Sequence, residues 1–322
     1  MFAGAGGFRL GIERAVPQAK CVGAIESDKW CCQVYSRHFE EIKPTDIRTV
    51  NPADLPNFDL LCGGFPCQAF SIAGRRQGFA DSRGSLFFEI ARVLAVKRPR
   101  YLLLENVKGL LNHERGKTFA VILETLEGLG YDIQWMVLNS RFFGVPQNRE
   151  RVFIIGHRRG ESRPEILPFR ARNQNDSKEI AQQATNALIA SYSHGPSASM
   201  PVIVHQNKSG RVTCRVTSAA LRFGASHNYQ TIANAGPLRR LTPRECERLQ
   251  GFPDDWTAGV SDTQRYRMMG NAVTVNVVTA IITVWPSKNT LFRNRIGCAP
   301  KDGSAMEFIR GQSVSTKKEY FI

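Results

Sequence analysis

Phe58-Asp59-Leu60-Leu61-Cys62-Gly63-Gly64-Phe65-Pro66-Cys67-Gln68 reads as a short apolar strand running into a glycine pair and a proline-fixed loop. The strand is predicted over 58–62, with the loop leaving its carboxyl end. Outward from it, Cys21–Ile25, Tyr101–Leu104 and Val152–Gly156 are further apolar runs bounded by polar or turn residues. Between these runs, Asp28–Phe39, Ser85–Val96 and Lys117–Leu129 carry apolar residues at helical spacing, and Gly128 and Gly130 mark a helix stop. This βαβα alternation predicts an open, mostly parallel α/β sheet with helices on both faces. In such sheets ligands gather at the carboxyl ends of the strands, where Cys67 stands.

The 322 residues are enough for one large domain or two ordinary ones, and 42% hydrophobic with 22% charged content is a soluble globular composition. Val277–Trp285, the most apolar late stretch, is far short of the ~20 residues that cross a bilayer, so a cytoplasmic protein with no membrane contact is expected. The eight cysteines show neither CxxC pairs nor a regular framework, so neither a metal site nor a disulfide scaffold is indicated. The net charge of +15 is unevenly spread: residues 156–250 hold 14 Lys/Arg against 6 Asp/Glu, a net of +8, and residues 286–322 hold 7 against 3, a net of +4. A surplus concentrated in one segment suits a polyanion-binding surface, although a solvated basic face fits it equally.

Four segments carry chemistry. Phe2-Ala3-Gly4-Ala5-Gly6-Gly7-Phe8 lets a backbone turn tightly against a ligand. Glu26, after the strand 21–25, can accept from ribose hydroxyls, and Asp46-Ile47 offers an acceptor beside an apolar surface. These three suit an adenosine-containing cofactor without separating a nicotinamide dinucleotide from S-adenosylmethionine. Cys67 sits on a glycine-flanked loop, and reactivity there would require a lowered thiol pKa. Glu105-Asn106-Val107 closes an apolar strand, where partial burial raises a carboxyl toward proton-donating range. Gln147-Asn148-Arg149-Glu150-Arg151 places Gln147, Arg149 and Arg151 on one side of an extended segment, and paired guanidiniums suit carbonyl or phosphate oxygens.

Taken in order, these segments resemble the motif set of the DNA (cytosine-5) methyltransferases, here of the bacterial or phage restriction-modification type. Arg240-Leu241-Thr242-Pro243-Arg244-Glu245, Arg248-Leu249-Gln250-Gly251-Phe252-Pro253 and Gly270-Asn271-Ala272-Val273 resemble the last two motifs. The likeness spans residues 2–285. It implies a Rossmann-like S-adenosylmethionine-dependent sheet with a second, smaller, basic target-recognition domain. It also implies methyl transfer from S-adenosylmethionine to C5 of a flipped cytosine in a specific double-stranded DNA sequence, through a Cys67 adduct at C6. Glu105 would engage N3 and Arg151 the cytosine O2, while Arg149 supports the pocket and Asn106 orients the loop. Phe2, Gly4, Ala5, Gly6, Glu26, Asp46, Ile47, Leu86, Asn271 and Val273 match cofactor-contacting positions. Ser27 departs from the pattern, since many relatives carry a bulky aromatic after this carboxylate.

The expected organisation is a catalytic and cofactor-binding domain over 1–160, target recognition over 161–260, a return to the catalytic domain over 261–285, and a peripheral or disordered tail over 286–322. Glycines and arginines in 71–85 suggest closure over DNA, with Ser71, Arg75, Arg76 and Arg83 as contacts; Arg211, Arg215, Arg222, His227 and Asn228 are candidate contacts in the basic module. A monomer without an obligate protein partner is expected. A tRNA-directed relative would share Cys67 and Glu105, but the large basic module favours DNA and no Cys-Phe-Thr segment is present. A catalytically inactive DNA-binding relative fits poorly with the intact trio, and a nicotinamide dehydrogenase lacks its G-x-G-x-x-G spacing. The resemblance also places an apolar strand before the glycine turn. With Met1-Phe2 at the start of the sequence that strand is expected to be missing, leaving its neighbours unpaired unless upstream residues supply it.

Overall fold

The computed structural model describes residues 1–66, 86–160 and 240–285 throughout, and the backbone of 202–206, 212–215, 218–219, 230–233, 239 and 319–321. In chain order the first part runs α1 (Gly7–Ala15), β1 (Ala19–Cys21), α2 (Lys29–His38), β2 (Leu60–Gly64), α3 (Leu86–Lys97), β3 (Tyr101–Val107), α4 (Lys117–Gly128), β4 (Tyr131–Asn139), β5 (Gln147–Asn148) and β6 (Glu150–Arg158). Short strands follow: β7 (Val202–Gln206), β8 (Val212–Arg215), β9 (Ser218–Ala219), β10 (Gln230–Ala233) and β11 (Arg239–Arg240). Three helices, α5 (Pro243–Leu249), α6 (Asp262–Asn271) and α7 (Val275–Val284), precede a last strand, β12 (Glu319–Phe321).

The main sheet has the order β1-β12-β2-β3-β6-β4. β1, β12, β2 and β3 run parallel, whereas β6 is antiparallel to both β3 and β4, so the sheet is mixed. Alternation along the central strands separates two apolar faces. Leu61, Leu102, Leu104 and Ile154 pack with Phe87, Ile90 and Leu94 of α3 and Ile122 and Leu126 of α4. Leu60, Leu103, Phe153 and Ile155 pack with Phe8 and Ile12 of α1 and Val277, Val278 and Ile281 of α7. Helices therefore cover both faces, as the alternating pattern predicts.

Several boundaries differ from expectation. β1 is Ala19–Cys21 rather than 21–25, because, among the described residues, 22–25 have only the Ala3 N–Ile25 O backbone bond and no ladder pairing. Residues 241–260, expected in the recognition domain, pack on the catalytic part: Leu241, Cys246, Leu249, Phe252 and Trp256 share a cluster with Ala5, Val34, Met268 and Val275. α5 starts where the sequence suggests, with a reciprocal Thr242–Glu245 capping box and Pro243 at its first turn. The end of the tail is not peripheral. β12 occupies the slot between β1 and β2, pairing Ala19↔Glu319, Lys20↔Tyr320 and Cys21↔Phe321 on one side and Leu60↔Phe321 on the other. The strand expected to be missing thus has a counterpart drawn from the other end of the sequence.

β7, β8, β10 and β11 form a separate antiparallel sheet in the order β11-β10-β7-β8. Asp262–Val284 is long and apolar enough to cross a membrane by length and composition, but it is two helices, and 56% of its apolar window is buried inside the protein.

α1 and α7 meet through Gly11, where an added Cβ would lie 2.7 Å from Val278 Cβ and 3.0 Å from the Val275 carbonyl oxygen. Overpacking of this kind costs about 1–3 kcal/mol. Gly11→Val is therefore expected to lower the urea midpoint without changing m. Gly128→Ala, where nothing lies within 4 Å, is expected to leave it unchanged or slightly raised.

Candidate active site

The carboxyl ends of β2 and β3 and the turn before α1 open onto one cavity of about 480 Å³. Its walls include Phe2, Gly4, Glu26, Pro66, Glu105, Arg151 and Asn271. The turn is built by backbone geometry, with Gly4 at φ +53° and Gly6 at φ +88°, values that favour glycine. Glu26 holds the turn in place. One carboxylate oxygen accepts from Gly4 N at 2.8 Å, and the other from Ser27 N and Asp28 N, both at 2.8 Å. With three of about four lone-pair sites used, Glu26 retains roughly one for an external donor, fewer than two ribose hydroxyls would take. From the opposite side, Trp256 Nε1 donates to Ala5 O at 2.8 Å.

β2 and β3 pair so that Gly64 faces Glu105. A Cβ at Gly64 would approach Glu105 Oε2 to 3.0 Å, so the glycine leaves room for the carboxylate. Glu105 is buried, and its Oε1 lies 3.0 Å from Arg151 Nε. Burial pushes the Glu105 carboxyl above its ordinary range, with the charges of Arg151 and Arg149 opposing the shift. Asn106, also buried, donates from Nδ2 to Phe65 O at 2.9 Å and accepts from Val107 N at 2.8 Å. It thereby fixes the carbonyl two residues before Cys67.

Arg149 is 1% exposed and donates from Nη2 to Gly270 O at 3.0 Å and Ala272 O at 2.8 Å. It ties the segment carrying Asn271 and Val273 to the β6 side of the site. Burial, then the charge of Arg151, pushes its guanidinium down to about 9, against an opposing pull from Glu105. Gln147 does not join the two arginines at the cavity: it is buried and donates to Leu249 O at 3.2 Å.

Phe2, Gly4, Ala5, Glu26, Leu86, Asn271 and Val273 line the cavity together with Glu105, Asn106, Arg149 and Arg151. Gly6, Asp46 and Ile47 are not among its walls. Gly6 caps α1, Asp46 pairs with Arg48, and Ile47 is a core residue. Cys67 itself, with Ser71, Arg75, Arg76, Arg83, Arg211, Arg222, His227 and Asn228, lies outside the described residues, and Arg215 is described by its backbone alone. Pro66, the last described residue before Cys67, lines the cavity. The described thiols of Cys21, Cys31, Cys32, Cys62 and Cys246 are all raised in pKa, chiefly by burial; none is poised as a nucleophile. No group of metal-ligating side chains occurs among the described residues.

Sequence reasoning missed a second layer behind the arginines. Ser140 Oγ bonds Thr274 Oγ1 at 2.8 Å, Thr274 Oγ1 donates to Gln250 Oε1 at 2.8 Å, and Gln250 Nε2 donates to Met269 O at 2.7 Å. Of these, only Gln250 falls inside a motif legible in the sequence; Ser140 carries no sequence signal. Arg267 and Asp28, paired at 3.1 Å, also line the cavity. Removing the Arg149 guanidinium leaves the Gly270 and Ala272 carbonyls without this donor. Arg149→Met is therefore expected to cost about 2–4 kcal/mol at one or two kcal/mol per carbonyl, read as a fall in Tm.

Residues 1–285 match the family described as C-5 cytosine-specific DNA methylase. The type II methyltransferase M.NgoBI of Neisseria gonorrhoeae is 41% identical over 293 residues, which cover 87% of this chain and 90% of that protein. M.HaeII of Haemophilus aegyptius is 39% identical over 296 residues, covering 87% and 90%. Among solved structures, the Dnmt2 methyltransferase of S. pombe superposes with a TM-score of 0.64 at 21% identity, covering 88% of this chain and 96% of that one. At that identity the likeness speaks for the α/β methyltransferase fold alone. The sequence match and the curated relatives carry the stronger statement: this chain belongs to the C-5 cytosine-specific DNA methylase family.

Proposed function

We propose that the protein methylates C5 of a cytosine within a specific double-stranded DNA sequence, with S-adenosylmethionine as donor and Cys67 as the covalent nucleophile. The observation that carries this reading is the convergence of the Glu105–Arg151 pair, the Glu26-clamped glycine turn and the Pro66 rim on one cavity. The cavity also fits the donor. It offers backbone N–H and carboxylate groups at one end, from the turn and Glu26, and the Asn271–Val273 segment braced by Arg149 at the other. S-adenosylmethionine, when bound, supplies the methyl group.

Aromatic C5 is a weak nucleophile, so the ring is activated first. The Cys67 thiolate adds at C6 while Glu105 gives its proton to N3, which makes C5 enamine-like. After C5 is methylated, the C5 proton leaves to a base, with water able to serve, and elimination expels Cys67 as N3 returns its proton to Glu105. Arg151 stands beside Glu105 to hold the cytosine O2 and to keep the carboxyl oriented. Asn106 acts through Phe65 O as a positioning residue for the Cys67 loop. A base in a duplex cannot reach such a cavity, so it must be flipped, at a cost of a few kcal/mol.

The basic module over 161–240, with its four-stranded antiparallel sheet, is the natural reader of flanking bases. The names of the chain's relatives mark them as type II methyltransferases. The corresponding role here is a modification enzyme of a restriction-modification system or an orphan methylase, working as a monomer in the cytoplasm.

Two experiments test the mechanism. A duplex carrying 5-fluorocytosine at the target should stall after methylation, because the fluorine cannot leave as a proton. A covalent protein–DNA band that vanishes in Cys67→Ser is expected, and a band that persists in that variant would place the nucleophile elsewhere. Because Glu105 must donate its proton, its raised pKa keeps the acid form present above the ordinary carboxyl range, and that form is lost as pH rises through the raised value. The single-turnover rate is accordingly expected to fall along an alkaline limb. Glu105→Gln should flatten that limb and slow the reaction by about 10²–10⁴.

A further inference from the structure

β12 and Met1 occupy the same inter-strand slot beside β2. Phe321 is the partner of Leu60 in parallel pairing. Met1 N donates to Cys62 O at 2.7 Å, the bond that sets a residue opposite Gly63 in a parallel ladder. A Cβ at Gly63 would lie 2.5 Å from Met1 O, so Met1 is in close contact with β2 there. From Leu60 to Gly63 is three residue steps, and parallel strands advance at about 3.3 Å per residue. Counting from Phe321, the last described residue, Met1 takes the third step, so the register leaves room for two residues between them. The other neighbour agrees: β1 pairs with β12 up to Cys21↔Phe321, and farther along the same side Ala3 N donates to Ile25 O at 3.1 Å.

We infer that Glu319–Phe321 and Met1 lie along one central strand, so that the two ends of the described chain meet in the sheet. The C-terminal half completes the sheet, and the N-terminal half leaves it as the glycine turn. Between Trp285 and Glu319 lie 33 residues, whose extended reach of roughly 110 Å far exceeds the few strand spacings of about 4.8 Å that must be crossed. An open slot between β1 and β2 would leave two rows of backbone groups without ladder partners in the middle of the sheet. A strand inserted there satisfies both rows. It also holds the start of the turn that Glu26 clamps, which gives the C-terminal segment a positioning role for the cofactor loop. That positioning role rests on the proposed cofactor; the strand assignment does not.

Hydrogen exchange on the unaltered full chain tests the strand directly. Amides of 319–321 are expected to be protected to an extent approaching Leu102–Leu104 of β3, and rapid exchange at 319–321 overturns the inference. Tyr320→Pro removes a ladder N–H from the middle of the strand. It is expected to lower Tm and to expose Ala19–Cys21 and Leu60–Gly64 to exchange, whereas an unchanged Tm counts against the strand. In a rearranged chain that keeps all residues, 313–322 and one added glycine precede Met1, and the sequence then runs to 312. This chain is expected to fold with a Tm at or above that of the parent, and a lower Tm overturns the two-residue spacing. Sedimentation at the same concentrations distinguishes the source. Protection at 319–321 that appears only in a dimer assigns the strand to a second copy and overturns the inference for one chain. None of these readouts uses methyl transfer, so a failure of the strand and a failure of the proposed chemistry remain separable.

Discussion

The register that sets Gly64 opposite Glu105 determines most of the geometry of the site. Neighbouring strands lie about 4.8 Å apart, so whatever leaves the end of β2 starts beside whatever ends β3. Gly63 and Gly64 are both close-packed, one against Met1 O at 2.5 Å and the other against Glu105 Oε2 at 3.0 Å for an added Cβ. Side chains at either position would push the central strand or the carboxylate out of place. The glycine pair therefore serves packing on both sides of β2, and the loop beyond it inherits a fixed start at Phe65, where Asn106 holds the carbonyl.

Around that register the protein buries one carboxyl and two guanidiniums at close range. Glu105 and Arg149 are each penalised by burial: Glu105 is shifted up and Arg149 down, and each is partly offset by the other's charge. Such clusters are a poor way to gain stability, since apolar groups of similar volume do as well or better. Their presence at the ends of two central strands points to chemistry. Arg149 combines both purposes. It contributes charge near Glu105, and it bonds carbonyls 121 and 123 residues away, joining the last motif of the chain to the first half of the sheet.

The central strands and the helices between them are legible in the sequence because they are fully buried, and a buried strand is an apolar run. β4 is not legible. It is an edge strand whose residues are mostly half-buried, with Asp132 and Gln134 confining its continuous apolar run to Trp135–Leu138. The position of β1 departs from expectation for a related reason: apolarity at 22–25 goes with a half-buried stretch ending at buried Ile25, and burial does not require a ladder partner. The expected boundary at 260 carries 241–260 into the basic module, yet this stretch holds two arginines against four carboxylates; Arg244 and Arg248 pair with Asp255 and Asp254 at the surface while Leu241, Leu249 and Trp256 turn inward. Glu105, Asn106, Arg149 and Arg151 can be named from motif order, but the partners of Arg149 and Asn106 are backbone carbonyls distant in sequence. No side-chain pattern encodes a carbonyl. The three residues of β12 are too few for periodicity to register at all.

The glycine turn shows how these contributions combine. Glycines allow its positive φ values but also raise the entropy lost on ordering it, so the turn needs external restraint to be preformed. That restraint comes from four directions: Cys62 O accepts from Met1 N, Ile25 O accepts from Ala3 N, the Glu26 carboxylate accepts from Gly4 N, and Trp256 donates to Ala5 O. None of these partners is a neighbour in sequence of the residue it holds. A turn held this way has already lost its freedom before a ligand arrives, so ligand binding need not offset that ordering cost again. The flexibility suggested by three glycines in the seven residues Phe2–Phe8 is thus a property of the sequence, and the folded protein removes it by hydrogen bonding the turn to β2, to the chain after β1 and to the segment after α5.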